Sequence, residues 1–376
     1  MKYDSLIVGG GVIGLSLAYE LATRGEKVRV IDRGPLGGEA SWAGAGIIPP
    51  AATRGQLEPI DRLLALSCDL HAAWAERLRE ETGVDNGYRR CGAVYVARGD
   101  EDARQLHLAA ARWRSQGIAV EPAPPERLAQ IEPALAKPRD RRFAAAHWLA
   151  GEAQIRNPRH LKALVAACAA RGVELTPCLA AESMATAGRR ATAINTSRGA
   201  IEANRVCLTS GAWTGELLTR LGMPTAAVRP VRGQIALLKC RAPALKAVVN
   251  EGKRYLVPRD DGRVLVGSTE EEVGFDKSTT AAGTSGLLKL AIELVPDLAE
   301  AEVERTWAGL RPATRDGLPV LGRVADFENL YVAAGHFRAG LQLSTGTALV
   351  MARLMRGEPT VIDLDSFRAD RAALAR

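Results

Sequence analysis

At 376 residues the chain exceeds what one hydrophobic core normally serves, so about two domains are expected. Apolar residues at 47% and charged residues at 25% suit a globular enzyme, and no run reaches the roughly 20 apolar residues that a membrane-spanning helix needs. The net charge of +7 is carried by bases interleaved with acids, in runs as short as Arg139 to Arg142, which argues against nucleic acid and for a solvated surface mildly favouring anionic substrates.

The six cysteines (Cys68, Cys91, Cys168, Cys178, Cys207, Cys240) lack C-x-x-C spacing and nearby histidine clusters. Neither a metal site nor a disulfide framework is expected, and they read as reduced core residues. The start resembles a secretory leader only superficially, because Asp4 sits in the would-be basic region and three glycines interrupt the apolar run. A cytoplasmic location is expected.

In chain order, residues 3–8 form a short apolar run ending in Gly9-Gly10-Gly11, the pattern of a buried parallel strand entering a tight turn. Val12, Leu15, Ala18, Tyr19 and Ala22 then recur at helical spacing until Gly25, which suits a left-handed C-terminal cap. Residues 27–31 read as a second parallel strand, 63–81 as a long amphipathic helix and 91–97 as a strand. The proline-rich segment 121–138 predicts loop with one short helix, and 158–171 a second strong helix. A strand-rich stretch follows to Leu208 and ends in the small-residue turn 209–213. Strands are expected over 231–238, 254–257 and 264–267, with Asp261-Gly262 as a hairpin turn, so this part should be antiparallel sheet. From Trp307 the pattern returns to strand, turn and helix, with 330–334 feeding the turn 335–340 and a helix to about 356. The chain therefore weaves between two domains.

Gly9-x-Gly11-x-x-Gly14 matches the dinucleotide fingerprint, in which small residues permit a tight turn, approach of backbone to pyrophosphate, and close packing of helix on strand. Phosphate charge would meet the positive helix terminus at Val12 and Ile13. Asp32 ends the second strand 18 residues after Gly14, placed to accept hydrogen bonds from ribose hydroxyls. It suits NAD or FAD better than NADP, although Arg33 beside it leaves an opening for the extra phosphate. The fingerprint itself does not choose between NAD and FAD. The continuation through Gly37, Gly38 and Ser41 resembles the extended FAD site of flavoprotein oxidoreductases.

Four further segments carry a resemblance to the D-amino-acid oxidase superfamily, and within it to the glycine oxidase group of thiamine biosynthesis. They are Ser41-Trp42-Ala43-Gly44-Ala45-Gly46-Ile47-Ile48-Pro49, Arg254-Tyr255-Leu256-Val257-Pro258-Arg259, Trp307-Ala308-Gly309-Leu310-Arg311-Pro312 and Ala334-Gly335-His336-Phe337-Arg338-Ala339-Gly340. The resemblance implies an α/β protein with a Rossmann-like FAD-binding domain, discontinuous over 1–88, 141–223 and 306–376. A second, α+β substrate-binding domain, built on an antiparallel sheet, would take 89–140 and 224–305.

By the same resemblance, Arg311 would hold a substrate carboxylate, a role its planar fork of donors suits. Tyr255 would add a second hydrogen bond, and Arg338 would lie near flavin and substrate, its carbonyl receiving the amine. Non-covalent FAD would meet the fingerprint residues with Asp32, Arg33 and Ser41. The small loop Ala45, Gly46, Ile47 would restrict the pocket to glycine-sized amines. Cys178 would also contact the cofactor, and His336, Phe337, Ala339, Gly340, Leu341 and Gln342 would form the flavin side, where the helix dipole would stabilise negative charge with His336 as a candidate helper. Lys253 and Glu270 depart from the family, which carries a histidine and a methionine there.

The implied reaction is oxidation of glycine, sarcosine and small D-amino acids to the imine and 2-oxo acid by hydride transfer to flavin, with dioxygen as acceptor and peroxide and ammonia as products. No general base is required among the matched residues. Thiazole synthase is the candidate partner, and a homo-oligomer is expected. The alternatives are a D-amino-acid dehydrogenase serving a quinone and a sarcosine oxidase-like enzyme, whose flavin-linking cysteine has no counterpart near Arg338. A tRNA-modifying flavin oxidase would carry a fused methyltransferase module, and a noncatalytic subunit would be expected to lose Arg311 or Tyr255.

Overall fold

In the computed structural model, residues 2–136, 143–222 and 228–371 are described. The first strand forms over Tyr3–Val8 and is flanked in parallel register by Val28–Ile31 and by the second half of Gly199–Leu208. Glu174–Thr176 extends the sheet beyond Val28–Ile31, and Leu330–Ala334 joins Gly199–Leu208 on its other side, also in parallel. The first half of Gly199–Leu208 pairs instead with Arg190–Thr196, which forms a hairpin with Ser183–Ala187.

The helices Val12–Thr23, Pro59–Thr82, Asn157–Ala170 and Gly340–Met355 share one apolar core on this sheet. Val12–Thr23 is buried along most of its length, as expected of a helix apolar nearly all round. Tyr19 meets Trp74 edge to face at 5.3 Å. This is the Rossmann-like α/β unit.

The second sheet runs Glu302–Ala313, Arg229–Lys239, Arg263–Gly267, Arg254–Pro258, Val248–Glu251, Ala93–Ala97, Ala145–Leu149, Glu121–Pro122. All neighbours are antiparallel except Val248–Glu251 beside Ala93–Ala97. Strand alternation splits its residues between two faces. Ala236, Leu238, Leu256, Val264 and Val266 pack outward under Leu287, Leu290 and Leu294 of the helix Ala281–Leu294. Ile235, Tyr255, Val257 and Leu265 face inward with Ala45. A small third sheet of Ile47–Ile48, Ala153–Gln154 and Arg89–Arg90 braces the Ala45–Ile47 loop.

Two segments depart from the expected division. Ala145–Leu149 lies within 141–223 and Glu302–Ala313 begins before 306, yet both are strands of the second sheet, because hydrogen-bond pairing across the chain decides membership. The expected junctions 140/141 and 223/224 lie outside the described residues. In 121–138 the short helix is Pro125–Ile131, and the end of that segment is likewise outside the described residues. The helices Asp100–Ser115 and Ala281–Leu294 add to the expected elements.

Candidate functional site

A cleft of about 480 Å³ opens beyond the carboxyl end of Tyr3–Val8 and continues to the inner face of the second sheet. Its position follows the rule that open parallel sheets bind ligands outside the carboxyl ends of their strands. At the nucleotide end, Gly9 has φ +118° and a Cβ there would lie 2.5 Å from the Thr209 carbonyl oxygen. A Cβ at Gly14 would lie 1.9 Å from the Gly9 carbonyl oxygen, so Gly14 permits helix-to-turn packing and does not itself line the cleft. Gly11, Val12 and Ile13 line it.

Asp32 is oriented by backbone. The Gly10 amide donates to its Oδ2 at 2.7 Å and the Gly34 amide to its Oδ1 at 2.8 Å. Burial pushes its carboxyl pKa up and these amides oppose the shift. Arg33 stacks over the Trp213 ring, 4.0 Å from its centroid. Ser41 Oγ accepts from the Val12 amide at 2.9 Å, tying the 37–41 turn to the start of the helix.

Cys178 does not line the cleft. Its side chain is exposed, its φ is +56°, and its amide donates to the Gly34 carbonyl at 3.1 Å. The wall is formed instead by the next residues, Leu179 to Ala181. Thr209 to Gly211 and Trp213 line the cleft as well. Their signal in the sequence is the small-residue turn after a strand, which by itself carries no cofactor assignment.

At the other end the helix Gly340–Met355 begins without a side-chain cap, and Gly340, Leu341 and Gln342 border the cleft. Free amides and the positive helix end make this an anion-favouring wall. His336 lines it too, but burial pushes its imidazole down to about 3, and its Nε2 lies 3.1 Å from Thr347 Oγ1. It is neutral at physiological pH, so the helix supplies the positive field without an imidazolium. Phe337, Arg338 and Ala339 complete this side.

The Ala43–Ile47 loop closes one wall and is held from both sides. Arg259, 8% exposed, donates to the Ala45 carbonyl at 2.6 Å, to the Ile155 carbonyl at 3.1 Å and to Gln154 Oε1 at 2.7 Å. Trp307 Nε1 donates to the Ala43 carbonyl at 3.1 Å.

Over this end stands the inner face of the second sheet. Arg311 donates to the carbonyls of Arg232 and Thr269 and to Ser268 Oγ, at 3.3, 3.1 and 2.6 Å. These acceptors are neutral oxygens. Burial pushes the guanidinium pKa down, as expected for a cation taken out of water before it has met an anion, and the Tyr255 hydroxyl lies beside it. Space for both is made by glycine: a Cβ at Gly233 would lie 2.1 Å from Arg311 Nη2, and one at Gly267 would lie 2.6 Å from the Tyr255 ring.

At the mouth, Glu270 bonds Lys253 Nζ at 2.8 Å and Arg338 Nη1 at 3.1 Å, while Arg338 Nη2 donates to the Lys253 carbonyl at 2.7 Å. The hydrogen bond from Lys253, helped by both positive charges, holds the Glu270 carboxyl below its ordinary range. Lys253 and Glu270 thus form one ion-paired rim with Arg338. Tyr95 and Asn250, which nothing in the sequence singles out, also line the cleft.

The cradle fits an extended, anionic dinucleotide, with glycines where phosphates would approach, a fixed carboxylate at Asp32 that could meet a ribose, and an uncapped helix at the far end. Residues 4–354 match a family model described as FAD dependent oxidoreductase. The chain is 37% identical over 365 residues to a glycine oxidase of Pseudomonas aeruginosa, covering 96% of this chain and 97% of that protein. It is 34% identical to a bifunctional protein ThiO/ThiG of Trichormus variabilis, covering 94% of this chain and 52% of that protein. The crystal structure of glycine oxidase from Geobacillus kaustophilus superposes with a TM-score of 0.92 at 34% identity, covering 98% of this chain and 99% of that one.

Proposed function

The chain belongs to the FAD-dependent oxidoreductases, and from that premise we infer that it is an oxidase of small amino acids whose principal substrate is glycine. The observation that carries this is Arg311, a half-buried guanidinium that faces the cleft beside Tyr255 and donates its hydrogen bonds to neutral oxygens of Arg232, Thr269 and Ser268, the Glu270 carboxylate at the rim acting on it only through its charge. A carboxylate is the partner that such a fork lacks.

FAD, when bound, accepts the hydrogen and electron pair released from the substrate Cα–H bond. Gly9, Gly11, Val12, Ile13, Asp32, Arg33 and Ser41 would hold its nucleotide end. Ala45 to Ile47 and Phe337 to Gln342 would hold its ring end. Arg311 and Tyr255 grip the substrate carboxylate and fix the direction of the Cα–H bond, so the chain contributes chiefly positioning. The carbonyl of Arg338 receives the amine. The Gly340–Met355 dipole favours the negative charge that develops on this side of the cleft. Ile235, Val257 and Leu265 keep the inner face apolar, which strengthens each of these polar contacts.

Sarcosine and small D-amino acids follow as secondary substrates, and dioxygen as the acceptor that yields peroxide. We propose a cytoplasmic homo-oligomer whose imine product passes to thiazole synthase. The bifunctional relative supports that coupling, since this chain matches only 52% of it. Among the described residues no helix is long and apolar enough to cross a membrane.

Anaerobic mixing with glycine, sarcosine, D-alanine and D-proline should bleach the flavin band, and admission of oxygen should then release peroxide. If none of the four bleaches it, the reading fails; bleaching without peroxide would point to a quinone acceptor. Arg311→Ala should raise the KM for glycine by about 100-fold or more while leaving FAD bound, measured by steady-state kinetics and the visible spectrum.

A further inference from the structure

Across the inner face of the second sheet, Tyr95, Asn250, Tyr255 and Gly267 stand directly opposite one another on successive strands. Directly opposed residues share a face, so Tyr95 and Asn250 project to the same side as Tyr255, and both line the cleft. Behind them lies Glu152, fully buried. Tyr95 Oη donates to its Oε2 at 2.7 Å and Asn250 Nδ2 donates to its Oε1 at 3.2 Å. A buried carboxylate is costly unless its oxygens are bonded, and here each oxygen has one donor.

The consequence falls on Asn250. An amide has a donor end and an acceptor end, and a carboxylate takes only the donor end. With Nδ2 committed to Glu152, the end left for the cleft is Oδ1. We propose that Glu152 is a positioning residue that turns the Asn250 amide so that Oδ1 faces the cleft, where it accepts a hydrogen bond from the amino group of the substrate. This rests on the amine-oxidation reading above and adds to it a second acceptor for the amine, beside the Arg338 carbonyl, on the strand next to Tyr255. Burial pushes the Glu152 carboxyl up to about 7, so assays at pH 8.5 keep it in the acceptor-only form. The side chains that bond it are Tyr95 and Asn250, neither of them charged.

Exchange of the two functional groups provides the test. In Glu152→Gln, the Tyr95 hydroxyl takes the carbonyl oxygen of the new amide and leaves its NH2 toward Asn250. The Asn250 amide must then turn over and present Nδ2, a donor, to the amine. Asn250→Leu removes the acceptor outright. Both variants should raise the KM for glycine about tenfold, with kcat within about threefold of the unaltered protein. Acetate, a carboxylate without an amine, should bind unchanged, as read from its perturbation of the flavin band. In the double variant Glu152→Gln with Asn250→Asp, the introduced amide donates to one oxygen of the introduced carboxylate and the other oxygen again faces the cleft. Its KM should return to within about threefold of the unaltered value.

The proposal is overturned if KM stays unchanged in both single variants, if acetate binding weakens as much as glycine binding, or if the double variant is no better than Glu152→Gln alone. Should Glu152→Gln fail to fold, Asn250→Leu is read by itself on the glycine and acetate measurements. An unaltered protein that glycine does not bleach overturns the parent reading; one that is bleached, with variants that do not move KM, overturns this inference alone.

Discussion

Gly233 and Arg311 show how one residue serves the site without touching substrate. A Cβ at Gly233 would lie 2.1 Å from Arg311 Nη2, so Gly233→Ala must displace the guanidinium or the strand beneath it. The KM for glycine should rise by about tenfold or more, with FAD content unchanged; an unaltered KM would show that the fork tolerates the shift. Protonation also acts at this scale. Burial depresses His71 to about 4 and both His160 and His336 to about 3, so the unfolded chain binds the extra protons below pH 6.5. Stability from these three is complete above that pH and falls as pH drops, by up to about 2 kcal/mol each between pH 6.5 and 5. Glu152 has the opposite sign, because its raised folded value of about 7 adds stability as pH falls from 7 toward 4.5. Tm should therefore decline from pH 7 to 5, and more steeply in Glu152→Gln; a shallower decline in that variant would contradict the assignment. Arg311 and Tyr255 are legible in the sequence as members of recurring segments, and Gly9, Gly11 and Asp32 as a spacing with a mechanism. Gly233 and Gly267 are only glycines inside strands, since the side chains that need their space come from other strands. The side chain of Cys178 is turned to solvent, while that of the next residue, Leu179, lines the cleft.

Helix ends decide the matter at the next scale. Thr280 caps the helix Ala281–Leu294, its Oγ1 accepting from the Gly283 amide at 3.1 Å and from Gln234 Nε2 at 3.2 Å. Thr280→Ala should cost about 1 kcal/mol, seen as a lowered denaturant midpoint with an unchanged slope. This helix covers the outer face of the second sheet, so the loss should reach KM only weakly. That the sequence pattern hides it has a local cause: Gly283 and Gly286 lower helix propensity within its first turns, and tertiary burial of Leu287, Leu290 and Leu294 offsets that. Asp100–Ser115 also goes unread, despite three acids in its first turn and Arg112 and Arg114 in its last, signals that complement the helix dipole. By contrast Val12–Thr23 and Gly340–Met355 are both legible. Each follows a short apolar strand and a glycine turn, and that strand-turn-helix order constrains the backbone locally.

For the whole molecule, the loop Ala43–Ile47 lies between the second sheet and the small third sheet, held by Trp307 from the second sheet and by Arg259 just past the end of Arg254–Pro258. Trp307→Phe keeps an aromatic ring near Trp42, now 5.2 Å away edge to face, and removes only the bond to the Ala43 carbonyl. The dissociation constant for FAD should rise several-fold, as about 1 kcal/mol requires, and apoenzyme titration by fluorescence would detect it. An unchanged constant would mean that Arg259 holds the loop unaided. The sequence by itself determined the dinucleotide turn, the parallel start of the first sheet and the antiparallel character of the second, and it singled out Arg311 as the arginine proposed to meet a carboxylate, because each depends on residues close along the chain or on a recurring segment. Only the tertiary structure decided that Ala145–Leu149 joins the second sheet and that Tyr95, Asn250 and Tyr255 stand in one row over the cleft with Glu152 behind them. Register between strands far apart along the chain is set by packing on both faces of the sheet at once, and no short stretch of sequence carries that information.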